Sequence, residues 1–200
     1  ISSVFNQTLK TIELIVVDDN DPKTDARKST EKIIEKFTSQ EKEITYLKHQ
    51  HNKNGAAARN TGIAVASGEY ISFLDSDDEY YPERLEKCYR SMKEAAPNVA
   101  GVYTGCEFRK GGKAYHVHTN VTSGNFEVET LACTFMLGTG SNLFIRTKVV
   151  NELQGFDDSF LRHQDYEFLV RLFGNHTLEG ISEVLVIKNN ENFNLPNLEK

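Results

Sequence analysis

Asp75, Asp77, Asp78 and Glu79 place four carboxylates within five residues, with no basic residue among them. Like charges this close repel and raise one another's pKa unless a cation sits between them. A hard divalent ion with oxygen ligands is the natural solution. Mg2+ or Mn2+ takes one or two carboxylates and completes its shell with phosphate oxygens. The plainer reading is a solvated turn leading into the helix that Pro82 opens. Two other Asp-rich patterns fit badly. An EF-hand loop wants Gly at its sixth position, which counted from Asp75 is Tyr80. An aspartyl-phosphate phosphatase wants Thr where Glu79 stands. A second acidic pair, Asp18-Asp19, also follows an apolar run, and Asp165 opens a stretch of helical periodicity. A carboxylate there can act as a general base, and the helix dipole favours its ionised form.

These residues need elements to hold them. Ile12 to Val17 is β-branched and almost continuously apolar, the pattern of a strand buried on both faces. A helix is expected from about Thr24 to Phe37, a strand over Ile44 to Leu47 and a small-residue helix from Ala56 to Ala66. A third strand covers Glu69 to Leu74. After Pro82, the spacing of Leu85, Cys88, Tyr89 and Met92 gives an amphipathic helix. This alternation predicts an α/β fold with a mostly parallel central sheet flanked by helices. Ligands of such sheets bind beyond the carboxyl ends of the strands, so both acidic clusters are expected at one rim. The second half reads as a smaller mixed region. It holds a hairpin about Lys110-Gly111-Gly112, a strand over Ser141 to Arg146 and a short helix at Val149 to Leu153. A helix over Gln164 to Phe173 and a strand at Val184 to Ile187 complete it. Residues 1–108 and 109–188 are taken as two halves of one domain, with 189–200 as a poorly ordered tail.

The chain has 200 residues and 22.6 kDa, with 23 Lys plus Arg against 29 Asp plus Glu. A net charge of −6 argues against a nucleic-acid partner, because phosphate contacts need clustered cations. It argues equally against a polybasic membrane anchor. Cys88, Cys106 and Cys133 match no metal or redox spacing and read as reduced thiols of a cytosolic protein. His116 and His118 alternate on one strand without a third ligand and read as surface histidines.

Taken together the motifs become specific. Asp18-Asp19 follows a strand, and Gly55-Ala56-Ala57-Ala58-Arg59-Asn60-Thr61-Gly62 comes next. Then come Ala66-Ser67-Gly68-Glu69-Tyr70 and Asp75-Ser76-Asp77-Asp78. Gly138-Thr139-Gly140-Ser141-Asn142-Leu143-Phe144-Ile145-Arg146, Gly155-Phe156-Asp157-Asp158 and Gln164-Asp165 close the series. In this order they resemble the family 2 glycosyltransferases of the Rossmann-like GT-A fold. The resemblance implies a nucleotide-diphosphate sugar donor, UDP-linked, and an inverting transfer that depends on Mn2+ or Mg2+. It implies a saccharide or glycolipid acceptor. It also implies a cytoplasmic location, reaching at most peripheral association with the inner face of a membrane. Carried over residue by residue, Asp18, Asp19, Arg59 and Asp75 would bind the nucleotide and Asp77 the metal. Asp165 would be the catalytic base, with Asp78 and His163 as accessory candidates. The family opens with a further strand that would precede Ile1, so the sequence is expected to be a fragment. Two rival readings are a non-catalytic relative that binds nucleotide sugar or carbohydrate, and a nucleotidyltransferase. The latter wants an early Gly-rich basic loop, and none is visible.

Overall fold

The computed structural model describes residues 1–190. The first half runs α1 (Ser2–Phe5), β1 (Ile15–Asp18), α2 (Asp25–Thr38), β2 (Thr45–Lys48), α3 (Gly55–Ile63), β3 (Tyr70–Ser72), β4 (Glu79–Tyr80) and α4 (Arg84–Glu94). The second half runs β5 (Val99–Lys110), β6 (Lys113–His118), α5 (Glu127–Leu131), β7 (Phe144–Arg146), α6 (Thr147–Glu152), α7 (Gln164–Phe173) and β8 (Thr177–Asn189).

Local signals set several boundaries. Thr24 caps α2 by accepting from the Arg27 N–H, and Asn54 caps α3 by accepting from the Ala57 N–H. Gly111 and Gly112, both at positive φ, form the two-residue turn between β5 and β6. The α4 face is buried at Leu85, Cys88 and Met92, as its periodicity predicts.

The α/β class holds, but the strand directions differ from a mostly parallel sheet. β1 and β2 pair in parallel, as do β5 and β8. β3–β7, β7–β5, β4–β8 and β5–β6 are antiparallel. Strand–helix–strand units produce parallel neighbours. β7 instead comes from the second half, inserts between β3 and β5, and runs against both. Among the described residues no ladder joins β1–β2 to the six-stranded sheet.

The larger sheet is apolar on both faces. Leu143 and Ile145 join one buried cluster with Ala100, Phe168 and Leu172. Phe144, between them, joins the other cluster with Val102, Leu85 and Met92. β5 crosses the expected 108/109 division, so the two halves share this sheet. β8 extends well beyond the expected Val184–Ile187 and closes at Asn189. The rest of the expected tail, 191–200, lies outside the described residues. Among the described residues no helix is long and apolar enough to cross a membrane.

The β5–β7 contact leaves no space at Gly101, where a Cβ would stand 2.3 Å from the Phe144 carbonyl oxygen. Gly101→Ala is expected to force the strands apart and cost about 1–3 kcal/mol, the usual range for overpacking. Urea unfolding monitored by circular dichroism measures it.

Candidate active site

The acidic turn between β3 and α4 separates its carboxylates by sending each in a different direction. Asp75 Oδ1 pairs with Arg59 Nη2 at 2.7 Å. Asp78 is buried and accepts from Thr139 Oγ1 at 2.8 Å, Ser141 Oγ at 2.6 Å and the Asn189 N–H at 3.2 Å. Asp77 is exposed. The Ser141 hydroxyl also accepts from the Asp75 N–H at 2.9 Å, so one side chain holds both Asp75 and Asp78. Burial raises the Asp78 pKa. The hydrogen bonds from Ser141 and Thr139 oppose the rise, and the charges of Asp77 and Asp75 add to it. Asp78 is thus a tie inside the fold.

Beneath the turn lies Arg84, fully buried with no carboxylate partner among the described residues. Its guanidinium stacks on the Tyr80 ring at 4.1 Å and donates to Ser72 Oγ at 2.9 Å and the Ser141 carbonyl at 3.3 Å. The Tyr80 hydroxyl reaches the Phe73 and Ser141 carbonyls. These contacts bind the end of β3 to the 139–142 turn and set the acidic residues on a rigid base.

A second brace crosses to α7. Arg59 Nη1 donates to Gln164 Oε1 at 3.3 Å, and its guanidinium lies 5.3 Å from the centre of the Phe156 ring. Gln164 in turn donates to the Phe160 carbonyl at 2.7 Å. The adjoining motifs meet as well. The Asn60 side chain donates to the Phe156 carbonyl at 2.7 Å and accepts from the Phe156 N–H at 2.8 Å. Gly155, at φ +71°, has no room for a Cβ, which would stand 2.4 Å from Asn60 Oδ1. Asp165 follows Gln164. Its carboxylate accepts from the Tyr166 N–H at 3.1 Å and has no ion pair among the described residues. His163, in the left-handed region at φ +57°, sets its ring edge-on to Tyr166.

One cleft of about 260 Å³ brings Arg59, Asp75, Asp77, Asp78, His163 and Asp165 together. Asp18 and Asp19 do not line it. The Asp18 side chain is fully covered, paired with Arg27 Nε at 3.1 Å and accepting from the Tyr46 hydroxyl at 2.7 Å. The Asp18 carboxylate thus answers the charge of the buried Arg27 and stands away from the cleft that holds Asp75 and Asp77. Asp19 accepts from the Lys53 and Asn54 N–H groups and lies 2.7 Å from His49 Nδ1. It shapes the loop that enters α3. Burial opposes its ionisation, but those hydrogen bonds outweigh burial and hold its carboxyl below the usual range. A separate cavity of about 300 Å³ beside α2 is lined by Lys23, Arg27, Lys48 and His49, and contains none of the cleft's carboxylates.

Sequence reasoning missed Thr139, Ser141, Arg84, Gln164 and Asn189. The Gly138-to-Arg146 segment carried a usable signal, since small hydroxyl residues beside glycines suit a tight turn that donates to acids. Arg84 and Asn189 carried none.

Among the described residues no group of three or more metal-ligating side chains converges. The turn offers Asp77, with the second oxygen of Asp75 nearby in sequence. That donor set fits a hard cation whose remaining ligands arrive on a phosphate, and does not fit a cation caged by protein alone.

The architecture is that of the GT-A glycosyltransferases. Over 94% of this chain it superposes on the Staphylococcus aureus TarS 1-349 structure in complex with UDP. That match has a TM-score of 0.74, at 18% identity and over 55% of the TarS chain. The complex of the same protein with UDP-GlcNAc gives a TM-score of 0.72 at 19% identity, over 94% of this chain and 53% of TarS. Residues 1–154 match glycosyl transferase family 2, and the chain belongs to that family. An uncharacterized glycosyltransferase of Methanocaldococcus jannaschii is 28% identical over 98% of this chain and 65% of its own length. GlyG of Streptococcus pneumoniae serotype 4 is 37% identical over 66% of this chain and 41% of its own. The amylovoran biosynthesis glycosyltransferase AmsB of Erwinia amylovora is 28% identical over 82% and 55%. The chain thus spans less than two thirds of each relative's length.

The lowered pKa of Asp19 has a stability consequence. Its contribution is present above the unfolded aspartate value, about 4, and is lost as pH falls through the lower folded value. Asp19→Asn is expected to be less stable than the wild type at pH 7. The difference should shrink below pH 4, as read by guanidinium unfolding at pH 7 and pH 3.

Proposed function

We propose that this chain is the donor-binding and catalytic part of an inverting glycosyltransferase that moves a sugar from a UDP-linked donor to an acceptor hydroxyl. One observation carries the reading: Asp77, suited to a metal-bound diphosphate, and Asp165, suited to a base, line a single cleft. Family membership supports the class. The TarS complexes with UDP and with UDP-GlcNAc support a uridine diphosphate donor. AmsB's role in amylovoran biosynthesis supports a saccharide acceptor.

Asp165 takes the proton of the acceptor hydroxyl as its oxygen bonds to the anomeric carbon. The bond from that carbon to the diphosphate breaks, and the diphosphate leaves with the electron pair. Attack opposite the leaving group inverts the anomeric centre. The carboxylate can serve because a hydrogen bond orients it while no cation pairs with it among the described residues. Its position in the first turn of α7 favours the ionised form. Asp77, with Asp75, would hold Mn2+ or Mg2+, which supplies charge stabilisation to the leaving diphosphate. Arg59 aligns Asp75, and Gln164 links that brace to the backbone before Asp165, so donor and base keep a fixed separation. Asp19 acts on the nucleotide side through the loop it shapes, and His163 stands on the acceptor side.

Asp77→Ala is expected to abolish the Mn2+-dependent part of UDP binding. Asp165→Asn should bind UDP as the wild type does and lose about 10²–10⁴-fold in turnover. Calorimetry with UDP and Mn2+, followed by a donor-consumption assay, checks both. Full turnover by Asp165→Asn would overturn the base. UDP binding without turnover in the wild type would favour the non-catalytic relative.

A further inference from the structure

The cleft is lined by four carboxylates, Asp75, Asp77, Asp78 and Asp165, and by three cations, Arg59, Arg162 and Lys188. Arg59 is paired with Asp75. Arg162 precedes Asp165 in the loop before α7 and makes no ion pair among the described residues. Lys188 is different in kind. It projects from the end of β8, a rigid strand paired in parallel with β5, where it stands opposite Phe108. It is half-buried, and no carboxylate lies within ion-pair distance of its ammonium among the described residues. Among the described residues its ammonium has one hydrogen bond, to the Gly138 carbonyl at 2.9 Å. An ammonium has three donors, so two remain to face the cleft.

The backbone around Lys188 explains why it is held on the acidic-turn side. The next residue, Asn189, donates its N–H to Asp78. Its side-chain amide donates to the Asp77 carbonyl at 2.8 Å and to Glu79 Oε1 at 3.2 Å. β4 extends the same attachment, with Glu79 opposite Ile187. Gly138, the residue Lys188 binds, is followed at once by Thr139, which donates to Asp78. The lysine is therefore fixed to the acidic turn through two separate connections, yet its charge is not consumed by that turn.

The geometry points to Lys188 as a diphosphate-contacting residue of the donor site, placing an ammonium against the phosphate oxygens from the β8 side. This rests on the reading of the cleft as a nucleotide-diphosphate site. The electrostatic need is plain. A diphosphate adds further negative charge to a cleft that already holds four carboxylates. A half-buried, unpaired cation lowers that repulsion far more than a solvated one. The same ammonium would face negative charge that grows as the sugar–diphosphate bond breaks.

The test is calorimetric titration of the chain with UDP and with UMP, each with Mn2+ and with EDTA. The proteins are wild type, Lys188→Met and Lys188→Arg. Lys188→Met is expected to weaken UDP binding about tenfold, equal to about 1.4 kcal/mol, and UMP binding by much less. It should do so with and without Mn2+, and Lys188→Arg should restore most of the loss. Unliganded melting temperatures report whether each variant is folded. Equal UDP affinity in Lys188→Met overturns the inference. So does an equal loss for UMP and UDP, or a loss that arginine fails to restore, since both indicate a merely structural lysine. Failure of the wild type to bind UDP overturns the underlying donor-site reading, a separate and distinguishable result.

Discussion

Electrostatic repulsion among the acids of the Asp75–Glu79 turn is the constraint around which the site is organised. Left to themselves, carboxylates at this spacing would splay apart or bind protons. The fold instead commits Asp75 to a guanidinium and buries Asp78 among hydroxyl donors, leaving Asp77 at the surface. Each commitment has a structural cost. Burying Asp78 requires Thr139 and Ser141 to be placed on a tight turn. Buried Arg84, without a carboxylate partner among the described residues, is stabilised by the Tyr80 ring, the Ser72 hydroxyl and the Ser141 carbonyl. Replacement of any member leaves a desolvated polar group without its partner, which is more damaging than the loss of one average hydrogen bond.

The second principle is that the two chemical ends of the cleft are connected by side chains. Arg59 touches Asp75 at one end and Gln164 at the other, and its flat face rests on Phe156. Gln164 then reaches the loop before α7. A guanidinium is well suited to this, because its planar fork makes directed bonds on two sides while its faces pack against an aromatic ring. The span between Asp75 and the start of α7 is thereby set by one residue's dimensions.

Much of this was legible in the sequence, for identifiable reasons. Strands that are nearly all apolar announce themselves, and so do acids at their ends. The rule that α/β sheets gather their loops at one rim anticipates both acidic clusters at one edge, yet of the two only Asp75, Asp77 and Asp78 line the cleft, and Asp165 joins them by a placement that rule does not address. The directions of side chains within a turn did not follow. Asp77 and Asp78 are neighbours, yet one is exposed and the other buried, and no periodicity governs a turn. The partners that decide the matter lie 61, 63 and 111 residues away from Asp78. Asp18 reads like Asp19 in sequence, but only the structure shows that Arg27 claims it. The strand directions were illegible for a similar reason: β4 has two residues, and the placement of β7 between β3 and β5 is a tertiary choice.

The Asn60 amide occupies both backbone groups of Phe156 and leaves Gly155 no space for a side chain. In effect a single residue plays the part of a neighbouring strand. Two motifs 96 residues apart therefore form one unit of inheritance. A crossover between relatives that falls anywhere from Asn60 to Gly155 would bring together halves fitted to different partners. Chimeras of this family are best cut outside that interval, or carry both motifs from the same parent.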